Sequence, residues 1–302
     1  MFSQVERDKG LPFVSVVVLT FNRKKLLENC LNSLFRMDYP MSKFEVIVVD
    51  GGSTDGTVAM VHRKFPKVRF IVENRKGRSF ARNTGWKHAK GLMVAYTDDD
   101  CVVDECWLRI LISGFDSEEI GAVGGPLLLL LNPKSICERF DGTPVGNFHL
   151  GERKLWAWDL ITANLAVRRE VFDKNRFDIS LAYDLEDIDF CRSLTEAGFK
   201  LLYLPQAKVH HNIDPRRVTM PHILKRAFFG GISFYIMERK RSDRIVLIAT
   251  FLRGFLGGSL LFVRRRRVAD FYWLAICLIA FLASVIAVDL NRNSSNSEHA
   301  MN

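Results

Sequence analysis

Apolar residues cluster in short runs near the start of the chain, and 14–20 (VSVVVLT) and 44–50 (FEVIVVD) are β-branched stretches of strand length. Between them Leu26, Leu27, Cys30, Leu31, Leu34 and Phe35 recur at the spacing of a helix with one buried face. Apolar runs at 68–72 (VRFIV) and 92–96 (LMVAY) continue the alternation, with a helix expected from Ala81 to Ala89 between them. Strands alternating with helices predict an α/β layer around a largely parallel sheet. In such sheets ligands bind beyond the carboxyl ends of the strands.

The strand ends carry the chemistry. The first run closes on Thr20-Phe21-Asn22-Arg23, the second on Asp50-Gly51-Gly52-Ser53-Thr54-Asp55-Gly56, and the fourth on Asp98-Asp99-Asp100. Adjacent carboxylates at the end of a buried strand repel one another and resist desolvation, so they call for a bound cation or a network of donors. A solvated turn capping a helix near Asp104 would explain the aspartates alone, but not polar, glycine-rich sequence at all three ends. A second acidic group, Asp184, Glu186, Asp187 and Asp189, opens a further expected helix. Ile188, Cys191 and Leu194 are its expected buried stripe and Gly198 its end. Four carboxylates exceed what helix capping needs. The segment 121–170 is less readable, and Trp156 and Trp158 within it read as packed residues more readily than as the lining of an acceptor pocket. No GxGxxG follows the first strand and no GxxxxGK[ST] occurs, which argues against a dinucleotide fold and a P-loop.

Composition narrows the partners. The 302 residues are 48% hydrophobic and carry a net charge of +9. From Arg216 onward there are 14 Lys and Arg against 5 Asp and Glu, leaving 29 against 29 before it. A basic segment beside apolar runs suits an anionic membrane surface better than nucleic acid, which is set aside as a partner. Residues 271–288 are uncharged and long enough for one transmembrane helix, with Tyr272 and Trp273 as interface anchors. Residues 245–263 carry Arg253 and three glycines, so an interfacial or re-entrant helix is expected there. The six cysteines show neither a CxxC pair nor a zinc spacing. The first ten residues have no apolar core and do not read as a signal peptide, which leaves the first domain on the cytoplasmic face of a membrane.

In order along the chain, VSVVVLTFNR, VIVVDGGSTDGT, GRSFARNTGWKHAKG, VAYTDDDC, TANLAVRREVF and LEDIDFCRSLTEAGF resemble glycosyltransferase family 2, inverting enzymes of the GT-A fold that use nucleotide-sugar donors. The resemblance spans roughly residues 13–215, implying a GT-A catalytic domain over 1–215 and a basic membrane-associated tail over 216–302. It further implies donor binding by Thr20, Phe21, Asp50, Arg78, Arg82, Asp98 and Asn164. It places a divalent cation, Mg²⁺ or Mn²⁺, on Asp98 and Asp100 with His211, or its neighbour His210, close by. Asp187 becomes the catalytic base, with Glu186 the second candidate. UDP is the favoured nucleotide, although Gly51 stands where relatives commonly have a second aspartate. The acceptor is a hydroxyl, with lipid-linked saccharides among the candidates. A sugar nucleotidyltransferase and a non-catalytic sugar- or lipid-binding relative are the competing readings. The first lacks the glycine-rich basic loop that a triphosphate needs.

Overall fold

The computed structural model describes residues 8, 10–130, 148–181, 184–214, 219–242, 246, 249, 274–279 and 282. Among them the chain forms two compact units, the first holding residues up to 130, 148–181 and 186–213, the second holding 184, 185 and residues from 214 onward.

In the first unit, strands and helices alternate as the apolar pattern predicts. β1 (Val14–Thr20), α1 (Lys24–Leu34), β2 (Phe44–Asp50), α2 (Thr57–Lys64), β3 (Arg69–Val72), α3 (Arg78–His88) and β4 (Met93–Asp98) follow one another. Then come β5 (Cys101–Val103), α4 (Trp107–Ser113), β6 (Ile120–Gly124), β7 (Leu127–Leu129), β8 (Leu155–Ala157) and β9 (Leu165–Arg168). α5 (Glu186–Glu196), β10 (Lys200–Tyr203) and β11 (Val209–His211) complete it. An eight-stranded sheet runs in the order β3-β2-β1-β4-β9-β6-β10-β8. Its pairs are parallel except where β9 lies antiparallel to β4 and β6, and β8 to β10. A second sheet has three strands in the order β5-β11-β7.

Both faces of the large sheet are covered, which is why β1 reads as an unbroken apolar run rather than an alternating one. Val14, Val16 and Val18 enter one core with Leu27, Leu31 and Trp107, while Val17 enters another with Ile47, Val94, Tyr96 and Phe190. α3 lies so close to β1 that a Cβ at Gly85 would meet Val17 Cγ1 at 2.4 Å, which accounts for glycine inside a helix. α5 buries Phe190, Cys191 and Leu194, and Ile188 is only half-buried. Gly198, at φ 91°, ends it as expected. The two tryptophans of β8 and its end are not packed: Trp158 is 88% exposed and Trp156 54%. β8 is the edge strand of the sheet, and Lys200 Nζ lies 5.2 Å from the centre of the Trp156 ring.

The second unit contains α6 (Met220–Arg239). No helix among the described residues is long and apolar enough to cross a membrane. Of the expected span 271–288 only 274–279, which are helical, and 282 are described, and of the expected interfacial stretch 245–263 only 246 and 249; the rest lie outside the described residues.

Candidate active site

Strand register assembles the site. β1 lies between β2 and β4, with Thr20 opposite Asp50 and Leu19 opposite Asp98, so three polar strand ends finish side by side. β4 stops at Asp98, and Asp99 and Asp100 form the turn into β5.

Two of these three aspartates are buried and compensated from within the chain. Thr20 Oγ1 donates to Asp99 Oδ2 at 2.8 Å. Arg23 Nη1 donates to Asp99 Oδ1 and to Asp100 Oδ2, both at 2.9 Å. Burial outweighs this support at Asp99 and pushes its carboxyl up to about 6. Arg23 was present in the sequence as the last residue of TFNR. Its only signal in the sequence is the need of the buried acids for a counter-charge from the chain itself.

The small sheet delivers the histidine. β11 pairs antiparallel with β5, setting His211 opposite Cys101 and Asn212 N on Asp100 O at 2.7 Å. His211 Nε2 therefore lies 3.3 Å from Asp100 Oδ1, while its Nδ1 is buried with no hydrogen-bond partner among the described residues. Successive strand residues face opposite sides, so His210 turns the other way and meets Asp104 at 2.9 Å.

The loop after β2 is organised by Asp50, which is fully buried. Its Oδ2 accepts from Gly52 N at 3.1 Å and Ser53 N at 2.8 Å, and its Oδ1 accepts from the Ser53 hydroxyl. Asp50 thus shapes the turn, and its oxygens already have partners. Phe21 is exposed, and its ring lies 3.3 Å from where a Cβ on Gly51 would be. Glycine at that position leaves the ring its place against the loop.

Asn164, expected to bind donor, lies in the core. It is completely buried, donates to Pro126 O at 2.8 Å and Ala207 O at 2.7 Å, and accepts from Trp107 Nε1 at 2.8 Å. Its hydrogen-bonding capacity is filled inside the core, where it ties α4 to two loop carbonyls. Asn164→Ala should therefore lower stability by several kcal/mol, at roughly 1–3 per group left unsatisfied, without a selective loss of nucleotide affinity. Denaturant unfolding beside a nucleotide titration checks this.

Arg82 and Glu186 are both 1% exposed and joined through Arg82 Nη1 and Glu186 Oε1. Arg78 Nε approaches the same oxygen at 3.1 Å, and Arg82 Nη2 stands 3.9 Å from Asp98 Oδ1. The two guanidinium groups overcome burial and hold the Glu186 carboxyl well below the usual carboxylate range. Arg82 also lies over the Phe177 ring at 5.7 Å. It thus bridges the acidic turn after β4 and the first residue of α5. Asp187, next along, is half-buried and accepts from Ile188 N at 3.0 Å. Asp189 is buried, and Asp184 belongs to the second unit, where Arg226 Nη2 pairs with it at 3.1 Å.

Among the described residues no three His, Cys, Asp or Glu side chains gather closely enough to enclose a metal by themselves. Asp100 and His211 offer a two-residue seat, with Asp98 nearby at the end of β4 and one-third exposed. Mg²⁺ and similar ions take one or two carboxylates and complete their shell with phosphate oxygens and water. The donor set fits a cation that arrives with a diphosphate.

Comparison with known proteins agrees with this architecture. Residues 15–175 match the model of glycosyl transferase family 2. Glycosyltransferase AglE of Haloferax volcanii is 30% identical over 256 residues, covering 82% of this chain and 82% of that protein. A Methanococcus voltae enzyme named as a dolichyl N-acetyl-α-D-glucosaminyl phosphate 3-β-D-2,3-diacetamido-2,3-dideoxy-β-D-glucuronosyltransferase is 24% identical over 264 residues, covering 81% of this chain and 79% of its own length. The mannosyltransferase PcManGT of Pyrobaculum calidifontis, solved with GDP-Man and Mn²⁺, superposes with a TM-score of 0.61 at 20% identity over 98% of this chain and 82% of that one.

Proposed function

The chain belongs to glycosyl transferase family 2, with a GT-A-like α/β fold, and from that membership we propose that it is an inverting, cation-dependent enzyme that moves a sugar from a nucleoside diphosphate to an acceptor hydroxyl. The observation that carries this reading is Arg82, which touches Asp98 on one side and Glu186 on the other. It brings the donor acids and the start of α5 into one site. Neither acidic cluster could run the reaction alone.

In this reading Asp98, Asp100 and His211 would hold the cation, which when bound would supply positive charge to the leaving diphosphate. The β1 and β2 loops, with Thr20 and the exposed ring of Phe21, receive the nucleotide. Asp187 takes the proton from the acceptor hydroxyl as its oxygen attacks the anomeric carbon from the face opposite the diphosphate. Arg78 and Arg82 fix Glu186, and with it the first turn of α5. A sugar nucleotidyltransferase and a non-catalytic relative find no support in the family match.

UDP is the donor nucleotide of this reading, on the family resemblance, with GDP next because the mannosyltransferase neighbour holds GDP-Man. A lipid-linked acceptor at the cytoplasmic face of a membrane is supported by the basic tail and by the dolichyl phosphate in the name of the Methanococcus voltae relative.

The test is a panel of nucleotide-sugars given to membranes carrying the full-length protein with Mn²⁺, reading the nucleoside diphosphate released. We expect release from UDP-sugars, and loss of cation-dependent donor binding in Asp100→Asn, because an uncompensated diphosphate is repelled by the aspartates. Full activity in excess chelator, or undiminished turnover of Asp100→Asn, would sink the cation assignment.

A further inference from the structure

Arg23 stands where the cation of the preceding reading would exert its charge. A single nitrogen, Nη1, bridges Asp99 Oδ1 and Asp100 Oδ2 at 2.9 Å each, and the other Asp100 oxygen faces His211 Nε2 at 3.3 Å. Both oxygens of the principal metal carboxylate thus face nitrogens. A guanidinium stays protonated at any pH at which the protein is folded, so Arg23 cannot yield by losing its charge. A divalent cation bound directly to Asp100 would repel a guanidinium hydrogen-bonded to the same carboxylate. The two positive charges compete for one carboxylate. The Arg23 side chain is 38% exposed and Asp99 and Asp100 are buried, so Arg23 is the group with freedom to move.

We infer that Arg23 and the divalent cation are alternative counter-ions for Asp100, with Arg23 closing the donor-free site and giving way when the cation arrives with a diphosphate. The inference rests on the cation reading above. It adds that cation and nucleotide bind as a linked pair. Cation alone competes with a resident positive charge, whereas the diphosphate offers both a share of the cation's shell and a new anionic partner for the released guanidinium. The arrangement also explains how three adjacent aspartates are tolerated before substrate arrives.

Mn²⁺ binding to the full-length, nucleotide-free protein, followed by the electron paramagnetic resonance of free Mn²⁺, tests this without reference to turnover. Arg23→Met should tighten Mn²⁺ binding on the order of tenfold or more, the equivalent of one lost charge-assisted contact, and reduce the further tightening that added UDP produces. Asp100→Asn should remove Mn²⁺ binding in both backgrounds. Unchanged or weaker Mn²⁺ binding in Arg23→Met, with the Asp100→Asn effect intact, overturns the exchange while leaving the cation reading standing. Mn²⁺ binding that ignores Asp100→Asn overturns both. If Arg23→Met fails to fold, wild-type crystals soaked in Mn²⁺ decide: a guanidinium displaced from Asp100 supports the exchange, and one still at hydrogen-bond distance with Mn²⁺ on the same carboxylate refutes it.

Discussion

Asp187→Asn is expected to lower turnover about 10²-fold or more while leaving nucleotide-sugar affinity unchanged. The expectation follows from what its neighbours are already doing. Glu186, one residue earlier, is enclosed and faces two guanidinium groups, which hold its carboxyl well below the usual carboxylate range and leave it engaged with them rather than open to an acceptor hydroxyl. Asp189 is buried and Asp184 pairs with Arg226. Asp187 is half-buried, in the first turn of α5, with one oxygen accepting from the backbone. If Asp187 only capped the helix, the amide would cost about 1 kcal/mol of stability and little activity. Steady-state kinetics together with a calorimetric donor titration separates the cases, since loss of an interaction made only in the transition state lowers kcat and not donor binding. Near-normal turnover in Asp187→Asn with a dead Glu186→Gln would move the base to Glu186.

The sequence displayed those parts of the fold whose signal is local. β1 and β2 coincide with their apolar runs because strands covered on both faces must be apolar throughout. α3 begins at Arg78 rather than Ala81, since Ser79, Arg82 and Asn83 are buried by polar contacts that an apolar pattern cannot reveal. Asn83, for instance, donates to Phe177 O at 2.7 Å. The acidic clusters were visible as anomalies, but the groups answering them were not. Arg23 meets its carboxylates 76 and 77 positions away, and Arg82 meets Glu186 across 104. Asn164 is a similar case, since a motif carries a buried hydrogen-bonding residue as readily as a ligand, and its three partners become visible only in the fold.

Arg82→Met is expected to destabilise the protein by about 3 kcal/mol or more, and Arg82→Met combined with Glu186→Leu to recover most of that loss. In the single variant the Glu186 carboxylate stays buried with only Arg78, itself 40% exposed, to answer its charge. In the double variant neither charge of the pair remains, and a side chain of similar volume fills each place. Arg82 Nε and Glu186 Oε2 are buried without hydrogen-bond partners among the described residues, so even the intact pair is incompletely satisfied. A pair retained for stability alone would be a poor choice over apolar packing. Its contact with Asp98 at 3.9 Å supplies the other reason, that Arg82 positions the first turn of α5 against the acidic turn after β4. The double variant should therefore unfold at nearly the wild-type denaturant midpoint and still turn over poorly. A stable double variant with full turnover would show that the pair is packing and nothing more; a single variant costing under about 1 kcal/mol would show that Glu186 is not held by Arg82 at all.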